Sequence, residues 1–409
     1  MKVENLSSSI RNRAQGLGPS LIEFRRDLHR HPELSNREFR TSEKVASRLK
    51  SLGLTLQTGV ARTGVVGLLA GNRSGSTVAI RADLDALPIQ ETLDVSYKSQ
   101  TNGVKHACGH DVHTTVALGV AEVLSSLKAE LPGRVKFIFQ PAEEDIPAGE
   151  EGGAALMLKE GVLENPAVDA IFALHVMPVI DVGKVGYHEG AVWASNDFLE
   201  ITIHGRKTHG AYPHTGVDSI VVASHVVIAL QTLASRTVDA RDPFLISIGI
   251  MEAGSQFNII ADQVRLVGMI RSLSPEVRAM APGRIETVIR GITQGFGATY
   301  SMKVTPRSPV TLNAPGLVSM SVPVLQDTLG EGNVLLQKPH MGSEDFALFA
   351  EKVPGFYFFL GVRNESKGIS AMLHTPEFDV DEASIPLGIE VMCRLVIEYL
   401  VGNQDFQKA

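Results

Sequence analysis

The segment His106-Ala-Cys-Gly-His-Asp-Val-His113 places one thiol and three imidazoles within eight residues. Thiolate sulfur and imidazole nitrogen are the donors that a borderline-soft divalent cation such as zinc prefers. The same residues admit two other readings: a turn with incidental histidines, and a nucleophilic Cys108 with a histidine base. At the mouth of a predicted helix, Cys108 would have its thiol pKa lowered by the helix N-terminus, favouring the ligating form. Gln140-Pro-Ala-Glu-Glu144 carries two adjacent carboxylates directly after an apolar run. Alone they read as solvated loop charges. Beside the Cys-His segment, one carboxylate can bind metal while its neighbour handles protons on water. His175 closes the run Ala-Ile-Phe-Ala-Leu, and His374 lies in Met-Leu-His-Thr-Pro-Glu-Phe. Each alone could equally be a satisfied core or edge histidine. Asp83-Leu-Asp85 puts two carboxylates on one side of an extended chain, fit either to orient a histidine ligand or to cap a turn.

These side chains need a frame to bring them together. Two helices open the chain, the second marked by a capping-box signature at Ser35 and Glu38 and by apolar Phe39, Val45, Leu49 and Leu52. Strands rich in Val, Ile and Phe are predicted at 65–70, 77–82, 135–139 and 170–174, with helices at 114–127 and 153–158. Strand alternating with helix predicts an α/β layer around a mostly parallel, buried sheet. The carboxylates and imidazoles fall at the strand exits, where such sheets gather ligands. From about residue 190 the pattern changes. Strands at 198–203, 244–251, 263–270 and 299–305, with helices at 217–233 and 275–291, give the ferredoxin-like order β-α-β-β-α-β. We read 191–307 as a domain inserted into a metal-binding catalytic domain made of 1–190 and 308–409. Helices near 316–329 and 344–352, a strand at 356–361 and a closing helix at 384–401 complete the latter.

Composition narrows the function. The 409 residues, 44% hydrophobic and 20% charged, suit two or three globular domains and argue against disorder. Thirty-eight basic against 45 acidic residues give a net charge of −7, which disfavours a nucleic-acid or anionic-membrane partner. Cys108 and Cys393 are the only cysteines, too few for a disulfide scaffold. The N-terminus lacks the apolar run of a signal peptide, and stretches such as 220–230 and 356–362 fall short of the ~18–20 residues that cross a bilayer. A soluble, cytoplasmic protein is expected.

Taken in order, RADLDALP, HACGHDVH, QPAEE, ALHV, HGAYPH, NIIADQ, GSEDF and LHTPEF resemble a family of dinuclear-metal amidohydrolases and carboxypeptidases. That family includes hippurate hydrolase, indoleacetyl-amino-acid hydrolases and N-acyl-amino-acid amidohydrolases, with aminoacylase-1 and glutamate carboxypeptidase as more distant relatives. The resemblance extends from Arg26 to the final helix. It implies two divalent metal ions per chain, zinc first, with manganese, cobalt or nickel fitting the same donors. Cys108 would bridge both metals, His110 and His175 would complete one, and Glu144 and His374 the other. Glu143 is similar to the general base and acid, and Asp85 to the residue that fixes a histidine ligand. The insertion resembles a lid and dimerisation domain, in which His209 matches a histidine reaching an active site across the dimer. Asn258 and Arg271 match residues that grip the substrate's carboxylate end. Arg206-Lys207-Thr208 departs from the glycine expected before His209, which could alter lid shape and substrate choice.

The resemblance implies hydrolysis of the amide bond of N-acyl amino acids, with a homodimer or higher homo-oligomer formed through the lid. Three other readings compete with it: a carboxypeptidase or dipeptidase acting on short peptides, a thiol hydrolase using Cys108, and a non-catalytic binder of amino-acid conjugates. Glu143 counts against the last, since binding alone needs no proton shuttle.

Overall fold

Runs of Val, Ile, Leu and Phe become strands here because a sheet covered on both faces buries every side chain along them. The computed structural model describes residues 3–144 and 146–406, and the chain divides into two compact units. The first comprises Met1–Gly190, Asn313–Gln337 and Leu348–Ala409, the second Ala191–Leu312 and Lys338–Ala347. The first unit opens with α1 (Val3–Arg30), α2 (Phe39–Ser51), β1 (Thr55–Val60), β2 (Gly64–Ala70) and β3 (Arg73–Asp83). It continues through α3 (His110–Ser126), β4 (Pro132–Gln140), α4 (Gly153–Lys159), β5 (Ala170–Asp181) and β6 (Val185–Tyr187). The second unit contributes β7 (Ala191–Trp193), β8 (Asn196–His204), β9 (Thr208–His209), α5 (Ser219–Thr237) and β10 (Phe244–Ala253). After these come β11 (Ile259–Ile260), β12 (Gln263–Ser272), α6 (Pro275–Gly295), β13 (Thr299–Ser308) and β14 (Thr311–Leu312). The remaining elements are α7 (Pro315–Leu329), β15 (Val334–Leu336), the short α8 (Phe346–Ala350), β16 (Gly355–Arg363) and α9 (Ser384–Phe406).

The first unit is built on one eight-stranded sheet of order β1-β2-β4-β3-β5-β16-β6-β15. Its centre, β4 to β16, is parallel, and β1 and β2 run antiparallel at one edge. Val78, Ile80, Phe137, Phe139, Phe172, Leu174, Phe356 and Phe358 join one buried cluster with Val116 and Val120 of α3 and Ile389 and Val396 of α9. Burying each such side chain stabilises the fold by roughly 1.5–3 kcal/mol, so this layer dominates the unit's stability. Helices α3 and α9 approach closely: a Cβ on Gly119 would lie 2.3 Å from Ile389 Cδ1.

The four expected strands are present and longer than their apolar runs. The capping box is not. Helix α2 starts at Phe39, and Glu38 occupies its N-cap position with no side-chain cap hydrogen bond. Ser35 and Glu38 are buried and bond to other parts of the unit.

In the second unit, β10-β12-β8-β13 form an antiparallel sheet covered by α5 and α6, with the ferredoxin-like element order. Leu199, Ile201 and Ile203 alternate inward along β8 against Val222, Val226 and Leu230 of α5 and Ile285 and Ile289 of α6. Residues 308–312 and 338–347 group with this unit, outside the predicted 191–307, because β14 pairs with β7 and His340 bridges to Trp193. Among the described residues, α5 is the one helix whose length and apolar content would allow it to cross a membrane, which exceeds the sequence expectation. Its inner face packs into the unit's own core, while Ile220, Val221 and Ile228 stay exposed on the outside.

Candidate active site

Gly109 sets the turn on which the site depends. It caps α3 with φ 83°, a left-handed conformation that glycine adopts without strain. A Cβ there would also lie 2.3 Å from Val176 Cγ2. The turn leaves Cys108 just outside the helix and His110 as its first residue, both buried. Strand β5 runs past this point and carries His175 within the strand, whereas the sequence placed it at the strand's end. Glu143 and Glu144 follow β4, and His374 lies in the segment between β16 and α9.

The five expected ligands converge. Cys108 Sγ lies 3.3 Å from His175 Nε2 and 3.3 Å from His374 Nε2. Glu144 Oε1 lies 3.4 Å from His374 Nε2 and 3.7 Å from His110 Nε2. Two sets of three donors result, Cys108–His110–His175 and Cys108–Glu144–His374, each with its atoms within 4.8 Å of one another and both sharing the sulfur. Glu143 joins His110 and Glu144 in a further set of the same size. Among the described residues, buried His110 Nε2 and Glu144 Oε1 have no hydrogen-bond partner, an expensive arrangement unless a cation completes them. The donor chemistry and these orphaned atoms fit a pair of divalent cations.

The electrostatics carry the same sign. Burial opposes charge on His110, yet Asp83, Asp85 and Glu144 outweigh it and push the imidazole up to about 10. The pocket is thus rich enough in negative charge to hold positive charge firmly. For Cys108, burial and then the charges of Glu144 and Glu143 hold the thiol well above its ordinary value. This reverses the expected lowering, because burial and the two carboxylates exceed the help of a helix end. A thiol so placed lacks the depressed pKa that a cysteine nucleophile needs. Burial, then the nearby His113, keeps His175 neutral. Its Nδ1–H donates to Val176 O at 2.6 Å, which leaves the Nε2 lone pair facing the sulfur.

The groups behind the donors fix their directions. Asp85 Oδ1 lies 3.3 Å from His110 Nδ1, while its Oδ2 accepts from Ser35 Oγ and from the Glu144 amide. Asp83 accepts from His113 Nδ1 at 2.6 Å, and His113 Nε2 in turn accepts from the Val176 amide at 2.9 Å, next to His175. His374, at φ 61°, is secured by its amide donating to Ala107 O. Buried Lys105 donates to Pro376 O and Phe378 O, bracing the segment that carries it. Deeper still, His29 donates to both Asp111 and Glu91 and so stands between two carboxylates, with Arg25 paired to Asp111. His113 was legible only as a neighbour within the motif. Lys105, His29 and Glu91 gave no local signal, since their partners are remote in sequence.

His209, Asn258 and Arg271 belong to the second unit. β9 pairs with β11, setting His209 opposite Ile259, and the Gly210 amide donates to Asn258 O. The Ala211 amide donates to His209 Nδ1 at 3.0 Å, so the proton of a neutral ring sits on Nε2, ready to donate. Arg271 lies on β12, where its Nη1 is buried with no hydrogen-bond partner among the described residues.

Residues 79–398 match the description of peptidase family M20/M25/M40. The chain belongs to that family. Thermostable carboxypeptidase 2 of Saccharolobus solfataricus is 38% identical across 97% of this chain and 99% of its own length. N-acetylcysteine deacetylase of Bacillus subtilis is 37% identical across 92% of this chain and 96% of its own. The crystal structure of the YXEP protein of Bacillus subtilis, described as a dinuclear metal binding peptidase, aligns with a TM-score of 0.83 at 34% identity. That alignment covers 95% of this chain and 99% of the other. As an M20-family member with the mixed α/β fold of its relatives, the chain is a metal-dependent hydrolase.

Proposed function

We propose that this M20-family chain hydrolyses the amide bond of N-acyl amino acids, releasing a carboxylic acid and a free amino acid. The observation that carries the reading is the convergence of Cys108, His110, Glu144, His175 and His374 beside Glu143. Cys108, His110 and His175 would hold one cation, and Cys108, Glu144 and His374 a second, with zinc, manganese, cobalt or nickel all compatible with the donors. Such ions, when bound, acidify water and polarise a carbonyl oxygen.

Glu143 supplies what the ions do not, a mobile proton. Its carboxylate takes a proton from the attacking water and delivers it to the amide nitrogen, which then leaves as a neutral amine. Asp85 keeps His110 oriented through Nδ1. We assign the developing oxyanion to the Nε2–H of His209 and the substrate's α-carboxylate to Asn258 and Arg271. A guanidinium binds a carboxylate through paired hydrogen bonds, which selects substrates with a free α-carboxylate. A second copy of this chain is the partner we propose for the second unit. The exposed Ile220, Val221 and Ile228 of α5 and the one-sided end strand β10, with Ile250 and Met251 exposed, support that choice.

The name of the carboxypeptidase relative supports a second reading, cleavage of short peptides at the C-terminal residue. A substrate panel separates the two. Metal-reconstituted enzyme is offered N-acetyl, N-benzoyl and indoleacetyl amino acids beside dipeptides, and free amino acid is quantified. Faster release from the N-acyl compounds, abolished by chelator and restored by metal, is the expected outcome. Preferential dipeptide cleavage would move the assignment to the peptidase, and turnover that survives exhaustive chelation would remove the mechanism.

A further inference from the structure

In the connection between α1 and α2, Ser35 and Glu38 bond to Asp85 and to the Ala142 amide beside Glu143–Glu144, and Asn36 and Arg37 between them bond to Glu150 and Glu151. Ser35 Oγ donates to Asp85 Oδ2 at 2.7 Å. Asn36 Nδ2 donates to Glu150 Oε2 at 2.9 Å and to Glu151 O at 3.3 Å, and Arg37 pairs with Glu150 at 2.8 Å. Glu38 is fully buried, its Oε1 accepting from the Ala142 amide at 2.9 Å and its Oε2 from Thr63 Oγ1 at 2.6 Å.

Ala142 holds φ 48°, a left-handed conformation that costs a residue with a Cβ about 1–3 kcal/mol and persists only where its surroundings enforce it. The peptide that follows it aims Glu143. The amide of Ala142 is held by Glu38, and the amide of Glu144 by Asp85, which Ser35 orients. The residue between them is therefore gripped on both sides by buried carboxylates. Placing Glu38 so near Asp85 is itself unfavourable, since like charges repel and neither can reach bulk water.

We propose that Glu38 is a positioning residue that sets the Glu143–Glu144 pair through the Ala142 amide. The proposal rests on the reading of Glu143 as the proton shuttle. Nothing in the capping role that the sequence suggests for Glu38 requires it to lie against this loop.

The test compares Glu38→Ala, Glu38→Asp and Glu38→Gln on the N-acyl amino acid that the wild type hydrolyses fastest. The measurements are kcat and KM per metal-loaded site, bound metal by elemental analysis, and the thermal midpoint. Glu38→Ala and the shorter Glu38→Asp lose the Ala142 contact, so kcat falls by about 10- to 100-fold while KM and bound metal stay near wild type. Glu38→Gln keeps an acceptor for the Ala142 amide and a donor for Thr63 Oγ1, so its kcat stays close to wild type. If Glu38→Ala does not fold, the contrast between the aspartate and glutamine variants decides. A wild-type kcat per loaded site in Glu38→Asp, or an equal loss in Glu38→Gln, overturns the positioning role even if stability has changed. Full turnover by Glu143→Gln would instead overturn the underlying reading of the base, and the proposal with it.

Discussion

Cys108 is the residue on which the two donor sets meet, yet its environment is hostile to a free thiolate. Burial and the charges of Glu144 and Glu143 keep the sulfur protonated unless a cation compensates. Glu143 has a different task from its neighbour, which predicts that charge and donor capacity can be separated there. Glu143→Gln should retain bound metal and lose about 10²–10⁴-fold in kcat, the usual share of a positioned general base. Elemental analysis and steady-state rates on the same sample check this, and near-wild-type turnover would remove Glu143 from the role. These residues were legible because HACGHDVH and QPAEE concentrate donors in short stretches of sequence. His113 was legible only as a member of that stretch and Lys105 not at all, since a histidine accepting from the Val176 amide and a lysine holding two carbonyls look ordinary until the fold brings their partners in.

At the scale of elements, the sheet was readable from its apolar runs, whereas β1, β6 and β15 were not. β1 is largely exposed, and β6 and β15 span three residues each, too short for a periodic signal. Ser35 and Glu38 show the opposite error, in which a local pattern was real but tertiary partners claimed both side chains. The ion network joining α1, α3 and the segment before α3 gives this level its own prediction. Burial works against the charge of Glu91, but His29, the Ser99 amide and Lys105 outweigh it and hold the carboxyl down to about 2 from 4.5. A folded-state pKa below the unfolded value adds stability above pH 4.5 and loses it as pH falls toward 2. Urea-unfolding midpoints of wild type and Glu91→Gln should therefore differ most near pH 5 and converge toward pH 2. Below pH 5 His29 is charged whether folded or unfolded, so its titration does not intrude. A pH-independent difference would mean that Glu91 acts through packing alone.

For the whole molecule, the outer face of α5 is the feature that a lone chain leaves unexplained. Ile220, Val221 and Ile228 are exposed there beside polar Ser224, His225, Gln231 and Thr232, and exposed large apolar side chains grouped on one helix face mark a candidate contact. Ile228, 66% exposed, lies on that face. Sedimentation velocity should report a dimer for the wild type and a shift toward monomer for Ile228→Glu. A wild type that sediments as a monomer at micromolar concentration would exclude the second copy as partner.

The neighbour of β5 on one side is β16, which the chain supplies only after the whole second unit. Until residue 363 has emerged from the ribosome, β5 presents a long apolar margin with unpaired amides, the kind of surface that recruits other strands. The inserted unit, lying almost entirely in one continuous stretch, can fold during that wait. Synthesis thus passes through an interval in which the half-made sheet is the vulnerable part. Release of truncated chains ending before β16 should yield aggregates, and chaperone demand should peak there.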